Sequence, residues 1–398
     1  MKTVPLIVNN DEWLAACEAL SQAKSIAVDT ESNGLHGYPA RICLFQFATR
    51  EAVYIVDPVA LGTGKELRAL FANPAVEKIF HSCGYDVRSL DCDFQAHVSG
   101  LFDTAIAAQF LGSNRLGLAN VLQEILGLQV EKRRSLQKMD WGMRPLPADA
   151  LAYAVNDVLH LHALRDKLCA CLEAKHRLAW VLEECRLMEG VRHEPPEPSD
   201  TAFFRVKGCY QLNPHQRAIL KELYLLREAL AHQFNRPPFK IMGTEVMFAL
   251  SRHPSTKLSD VKGMSHWLLA KAHDALRDAI QRGRQSEPIR RLPSQPGPTL
   301  PWTDKAHRRL ALLKEWRIRR AAELGTDASL LWPLPSLERI ALAPDQRDKE
   351  LFGRESGIVV RVWQQQTFGK ELAALMSADP LFEAPAAPAK LGHVKHAA

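Results

Sequence analysis

No stretch of this 398-residue chain approaches the roughly 18 uninterrupted apolar residues of a helical membrane span, so no membrane partner is expected. The first ten residues run into Asp11 and Glu12 without the apolar core of a secretory leader, and a cytoplasmic location is the expectation. The motif G-x-x-x-x-G-K-[ST] occurs nowhere, which excludes a P-loop motor. The eight cysteines (17, 43, 83, 92, 169, 171, 185 and 209) form no C-x-x-C pair and lack zinc-ligand spacing to histidine. They read as reduced, mostly buried thiols. Glycine and proline, 21 and 24 in number, follow no collagen-like period.

What is present suits a soluble globular chain. Hydrophobic residues make up 46% and charged residues 24%, and the length predicts two to four domains. The net charge of +6 is unevenly spread. Residues 1–200 carry 20 Lys and Arg against 26 Asp and Glu, whereas the remainder carries 31 against 19. A basic half beside an acidic one suggests chemistry or cation binding in the first part and a polyanion, most often nucleic acid, at the second. A basic solvated surface is the plainer alternative.

Pro-rich, weakly periodic stretches at 193–200, at 286–301 and from 379 onward read as two linkers and a disordered tail. In the first part, Ile26-Ala-Val-Asp29, Ile42-Cys-Leu-Phe-Gln-Phe47 and Val53-Tyr-Ile-Val-Asp57 predict three strands joined by short turns, an antiparallel meander. Lys78-Ile-Phe-His81 predicts a fourth strand, and helical periodicity dominates from 116 to 189. Beyond 200 only helices are expected, at 215–234, 244–252, 265–282, 304–324, 336–342 and 355–376. Leu225-Leu-Arg-Glu228 leading to Val246-Met-Phe-Ala-Leu250 is echoed by Leu312-Leu-Lys-Glu315 leading to Leu337-Glu-Arg-Ile-Ala341, a hint of two helical bundles of one plan.

Three features carry chemistry. Asp29-Thr-Glu31 ends an apolar strand, and positions i and i+2 of a strand share a face, so two mutually repelling carboxylates are aimed together as if at a divalent cation. Solvent-exposed acids at a strand end would look the same. Asp86 opens a helix after the fourth strand, either as a ligand or as a first-turn acid favoured by the helix dipole. Tyr153-Ala-Val-Asn-Asp157 puts a phenol and a carboxylate on one helix face.

Together, Asp-x-Glu on a strand, an Asp some 55 residues later and Tyr-x-x-x-Asp on a helix after a further 70 resemble the DEDD exonuclease superfamily in its tyrosine-containing branch. Asp140-Trp141-Gly-Met-Arg144-Pro145-Leu146 and Cys43-Leu-Phe-Gln46 are similar to the ribonuclease D signature, with Ala150 where that family commonly has Gln. Arg227-Glu228, Asn235-Arg-Pro-Pro238 and His253-Pro254 resemble the helical HRDC module of RecQ-type helicases and ribonuclease D. The resemblance implies an α/β ribonuclease H-like 3′-5′ exonuclease domain, a mixed sheet flanked by helices, over residues 1–192. Two small all-α HRDC-type bundles at 205–285 and 302–378 and a disordered tail at 379–398 would follow.

By that resemblance, Asp29, Glu31, Asp86, Tyr153 and Asp157 are the catalytic residues, and the four carboxylates hold two divalent cations, Mg²⁺ or Mn²⁺, about 4 Å apart. Asp29 is implied to bridge the ions, Glu31 and Asp157 to hold the one that binds the attacking water, Asp86 to reach the second through water, and Tyr153 to orient that water. Thr30, Gln46, His81 and Arg144 are candidate substrate contacts, with a role for Arg144 in anchoring its loop equally open. The implied activity is exonucleolytic release of 5′-nucleoside monophosphates from single-stranded 3′ ends of RNA, tRNA precursors and other small structured RNAs among them. A 3′-5′ DNA exonuclease of the proofreading or helicase-associated type shares these carboxylates, and an inactive nucleic-acid-binding scaffold would have no need of them. No protein partner is evident.

Overall fold

A computed structural model describes residues 4–62, 64–131, 133–194, 199–290, 301–354 and 359–382. Contacts divide the chain into two compact units. The first comprises Met1–Ala105, Gly117–Leu168 and Glu184–Gln295, and the second Ile106–Leu116, Cys169–Glu183 and Pro296–Ala398.

The first unit is built on a six-stranded mixed sheet, with β1 (Leu6–Ile7), β2 (Ser25–Ser32), β3 (Ile42–Ala48), β4 (Val53–Val56), β5 (Glu77–Phe80) and β6 (Leu101–Asp103) in the order β1-β4-β3-β2-β5-β6. β2, β3 and β4 pair antiparallel as the short turns predict. β1, β5 and β6 join in parallel to β4, β2 and β5 respectively. β1 and β6, two and three residues long, are too short to leave an alternating pattern in sequence.

Every residue of β3 is buried, because both faces of the sheet are covered. On one face Trp13 of the Asn10–Gln22 helix stacks on Phe47, with ring centroids 6.2 Å apart, and Phe71 packs behind. The Ala148–Leu159 helix lies across β2, β3 and β4. Its fully buried Ala150, Ala154 and Val158, spaced i, i+4, i+8, form one stripe, of which Ala150 and Ala154 pack with Leu44 and Ile55. Two alanines let the helix axis approach the strands closely.

The rest of the first unit is helical. The Pro214–Gln233 helix starts at a reciprocal capping box between Asn213 and Gln216, with Pro214 at its first turn. It packs with the Thr244–Arg252 and His266–Gln285 helices around Leu220, Leu223, Met247 and Leu276. The second unit repeats this sequence of elements. Helices of 20, 4 and 9 residues and a three-residue 3₁₀ turn (Pro214–Gln233, Pro238–Ile241, Thr244–Arg252, Leu258–Asp260) are matched by 21, 4, 9 and 3 (Asp304–Leu324, Ala328–Leu331, Leu334–Leu342, Pro344–Gln346). Trp316, Trp332 and Phe368 fill its core, and Trp180 stacks on Trp363 at 4.7 Å.

Two expectations change. The last long helix begins at Val362, not 355, with Arg361 as its N-cap, and 355–358 lie outside the described residues. Of the expected tail, Pro380–Phe382 form a 3₁₀ turn that belongs to the second unit. Phe382 is buried, and Arg309 donates to the Leu381 carbonyl at 2.6 Å. Residues 383–398 lie outside the described residues. All eight cysteines are free, and of these only Cys92 is exposed. Among the described residues, no helix is long and apolar enough to cross a membrane.

Candidate active site

β2 pairs with β3 so that Asp29 faces Gln46 and Glu31 faces Leu44. With side chains alternating, Asp29 and Glu31 project toward the face that the Ala148–Leu159 helix covers. One stripe of that helix packs down on the sheet, and the adjacent stripe carries Tyr153 and Asp157. Ligand oxygens of Asp29, Glu31 and Asp157 consequently lie within 4.8 Å of one another. Asp86 comes from the first turn of the Gly84–Phe94 helix, is buried, and accepts a hydrogen bond from the Thr30 hydroxyl.

Burial dominates the electrostatics of this cluster. It pushes Asp29 well above the carboxylate range, with Asp157, Asp86 and Glu31 adding repulsion. Burial, then Asp157 and Asp86, raises Glu31 to about 9. Asp157 rises to about 7 through burial, against relief from Tyr153. Asp86 rises to about 6 for the same first reason, although Thr30 draws it down. Four carboxyls crowded into this partly buried site repel one another unless a cation compensates, and their hard oxygens suit Mg²⁺ or Mn²⁺. The donor set therefore fits a divalent metal.

The Tyr153 phenol is raised above its ordinary range by burial and then by Asp157, while Gln137 opposes the shift. Its ring lies 6.3 Å from that of Trp141. Trp141 itself is 1% exposed and packs beside Ala150 and Ala154, so its ring is a core wall.

Two of the expected substrate contacts are placed elsewhere. Gln46 is fully buried in the middle of β3, and neither of its amide atoms finds a hydrogen-bond partner. It is out of reach of a substrate because the Ala148–Leu159 helix covers its face of the sheet. Arg144 is committed to the protein. It grips Asp57 with two bonds of 2.6 and 2.7 Å and donates to the carbonyls of Trp141, Met143 and Cys43 at 2.7 to 2.8 Å. All five of its N–H groups are thereby used, and Arg144 anchors its loop. Thr30 holds Asp86, and His81 is partly buried with Nδ1 2.8 Å from the Thr104 hydroxyl.

Other residues of the site have no motif to announce them. Asp103, at the end of β6, accepts from the backbone N–H groups of Ser82, Cys83 and Ala105 at 2.8 to 3.0 Å. It thus fixes the turn, with Ser82 at φ +64°, that delivers Asp86. Its only sequence signal is an acid just before a helix. Beside Tyr153 and Asp157 opens a cleft of about 350 Å³ walled by Arg133, Arg134, Gln137 and Asn156. Of these Arg134 and Gln137 are exposed, and Arg133 is paired with Glu131 at 3.1 Å.

Fold and acidic cluster define a metal-dependent exonuclease domain of the four-carboxylate, tyrosine-containing class. The 3′-5′ exonuclease family matches residues 5–173, and the HRDC domain matches 216–278. Ribonuclease D of Acidiphilium cryptum is 31% identical over 345 residues, which cover 85% of this chain and 86% of that one. The chain belongs to the ribonuclease D family. Ribonuclease D of a Shewanella species is 37% identical over 213 residues, a match that spans 53% of this chain and about half, 54%, of its own length. Among solved structures, Escherichia coli RNase D, an exoribonuclease involved in structured RNA processing, shares the fold with a TM-score of 0.68. That comparison covers 95% of this chain and 99% of the other at 23% identity.

Proposed function

We propose that this chain is a 3′-5′ exoribonuclease that releases nucleoside 5′-monophosphates from the ends of tRNA precursors and other small structured RNAs. The observation that carries the reading is the convergence of Asp29, Glu31 and Asp157 within 4.8 Å, with Asp86 and Tyr153 beside them. Two divalent cations held by the four carboxylates would supply charge stabilisation on the phosphate oxygens and lower the pKa of the attacking water. The protein's own residues do the rest. Tyr153, its phenol held protonated at neutral pH by burial and by Asp157, orients water through its hydroxyl and does not remove a proton. Thr30 and Asp103 keep Asp86 in place.

The cleft beside Asp157 has room for a terminal nucleotide, and Arg134 at its wall is free to meet a phosphate. The basic charge beyond residue 200 supplies sequence-independent grip. The domain plan that goes with this reading is catalysis in 1–192 and two helical modules at 205–285 and 302–378. The test uses matched 3′-labelled and 5′-labelled RNA and DNA with Mg²⁺, Mn²⁺ or EDTA. Stepwise shortening of RNA from the 3′ end, abolished by EDTA, is expected. Cleavage that persists in EDTA, or that strongly favours DNA, overturns the reading.

A further inference from the structure

The turn between β2 and β3 touches two parts of the first unit at once. It is a closed loop: the Asn33 N–H donates to the Arg41 carbonyl at 3.1 Å, Arg41 donates back to the Asn33 side chain at 2.8 Å, and His36 and Gly37 donate to the Asn33 carbonyl. Such a loop moves as one piece.

One side of it is seated on the Pro214–Gln233 helix and the segment that follows. The Tyr38 hydroxyl donates to Glu228 at 2.5 Å, its N–H donates to the Asn235 side chain at 2.9 Å, and its ring meets His232 edge-on at 4.7 Å. Tyr38 joins the hydrophobic core of that helical module. Asn235 is the residue to expect there: at φ +46° just past the helix it occupies the left-handed region that asparagine tolerates best among residues with a side chain. Glu228 is itself held by Arg227 at 2.8 Å.

The other side bears on the segment that supports the catalytic tyrosine. His36 Nε2 lies 2.8 Å from the Lys138 carbonyl, and its Nδ1 lies 3.4 Å from the Lys240 ammonium. A neutral imidazole protonated on Nε2 satisfies both contacts, one as donor and one as acceptor. Gly142 lies beside the loop, where a Cβ would stand 3.7 Å from Asn33, an ordinary van der Waals contact. Gln137, which faces the Tyr153 phenol, directly precedes the first of these contacts, and Trp141, which walls its ring, lies between them.

We propose that the first helical module is a positioning partner of the active site. Through the closed loop at 33–41 it fixes the segment 137–142 on which Tyr153 rests, and so contributes to turnover as well as to RNA grip. The proposal rests on the exoribonuclease reading above and adds a role for residues far from the carboxylates in sequence.

The test measures kcat and KM of the full-length protein on a labelled RNA of about three nucleotides, too short to span both the active site and a basic surface on the module. Three variants weaken the connection: Tyr38→Phe, Asn235→Ala and His36→Ala. A fourth, His36→Gln, retains one donor and one acceptor. For His36→Ala and for the Tyr38→Phe/Asn235→Ala double variant, kcat should fall about tenfold with KM changed by less than about twofold, the signature of a displaced reacting group. His36→Gln should recover most of the loss. Wild-type kcat in these variants, or a rise in KM alone, overturns the proposal and leaves the module as a grip only. If His36→Ala does not fold, Tyr38→Phe, which keeps the packing, and its double variant with Asn235→Ala decide the matter by the same criterion. A wild-type protein inactive on RNA with either metal would instead reject the exoribonuclease reading, so the two failures are distinct.

Discussion

Asp157 is the residue on which the acidic cluster closes, since the helix that packs on the sheet through Ala150 and Ala154 delivers it to a strand already carrying Asp29 and Glu31. Asp157→Asn or Asp29→Asn should reduce RNA hydrolysis to background while leaving the circular dichroism spectrum unchanged; clear turnover in both would reject the metal assignment. Tyr153→Phe retains the ring against Trp141 and loses only the hydroxyl, so a loss of about 10²-fold in kcat is expected on the scale of removed acid-base groups. The raised carboxyls also make stability depend on pH. Glu31 titrates at about 9 in the folded protein against 4.5 in its ordinary range. The folded state then holds the proton more tightly, so stability is greatest below about 4.5 and is lost as pH rises through about 9. In EDTA the melting temperature should fall across this window, Glu31→Gln should flatten the fall, and Mg²⁺ should offset it. A metal-free wild type and a Glu31→Gln variant with superimposable pH profiles would show that Glu31 is ionised without cost.

Among the elements, the loop at 140–146 is held by Arg144, whose partner Asp57 has only 4% of its side chain exposed. Asp57 in turn caps the Pro58–Leu61 helix through the N–H groups of Val59 and Ala60. Its carboxyl lies below the usual carboxylate range, because the Arg144 hydrogen bonds and charge and those two N–H groups outweigh burial, the largest single influence and an upward one. Arg144→Ala leaves that charge buried and unpaired, at a cost of about 3 kcal/mol in urea unfolding. KM for RNA should stay near wild type where the variant remains folded. A large rise in KM with unchanged stability would make Arg144 a phosphate contact after all.

For the whole molecule the relevant quantity is charge. Residues beyond 200 carry 31 basic against 19 acidic side chains. One concentration of that charge is a cleft of about 410 Å³ formed by Arg205, Lys207 and Arg227 with Tyr224. Lys207 and Arg205 are exposed. Lys207→Ala should weaken binding of a tRNA-sized substrate and flatten the log-log salt slope by about 0.7 for each single-strand phosphate that the variant leaves without its cation. An unchanged slope would place the RNA on another face. Wild-type kcat on a very short RNA is expected in the same variant, because Lys207 is an exposed residue at the wall of that cleft.

Local geometry aims four of the five residues at the centre, since alternation in a strand pairs Asp29 with Glu31 and a helical i, i+4 step pairs Tyr153 with Asp157, while only the family resemblance added Asp86 and gave the set its implied role. Composition and charge likewise separated an α/β part from a basic helical part before any fold was known. Tertiary structure decided what depends on neighbours distant in sequence. Gln46 looked polar and available, yet the helix packed on Ala150 and Ala154 covers its face of the sheet. Arg144 read equally as a phosphate contact or a loop anchor, and Asp57, 87 positions away, takes its guanidinium. Asp103 carried no motif, since its work is to hold three N–H groups in a turn that exists only once β5 and β6 lie side by side. Periodicity reports which way a side chain points along its own element. What stands opposite it is settled by burial, which places segments together for the apolar area they hide and leaves each polar group to find whatever partner is then within reach.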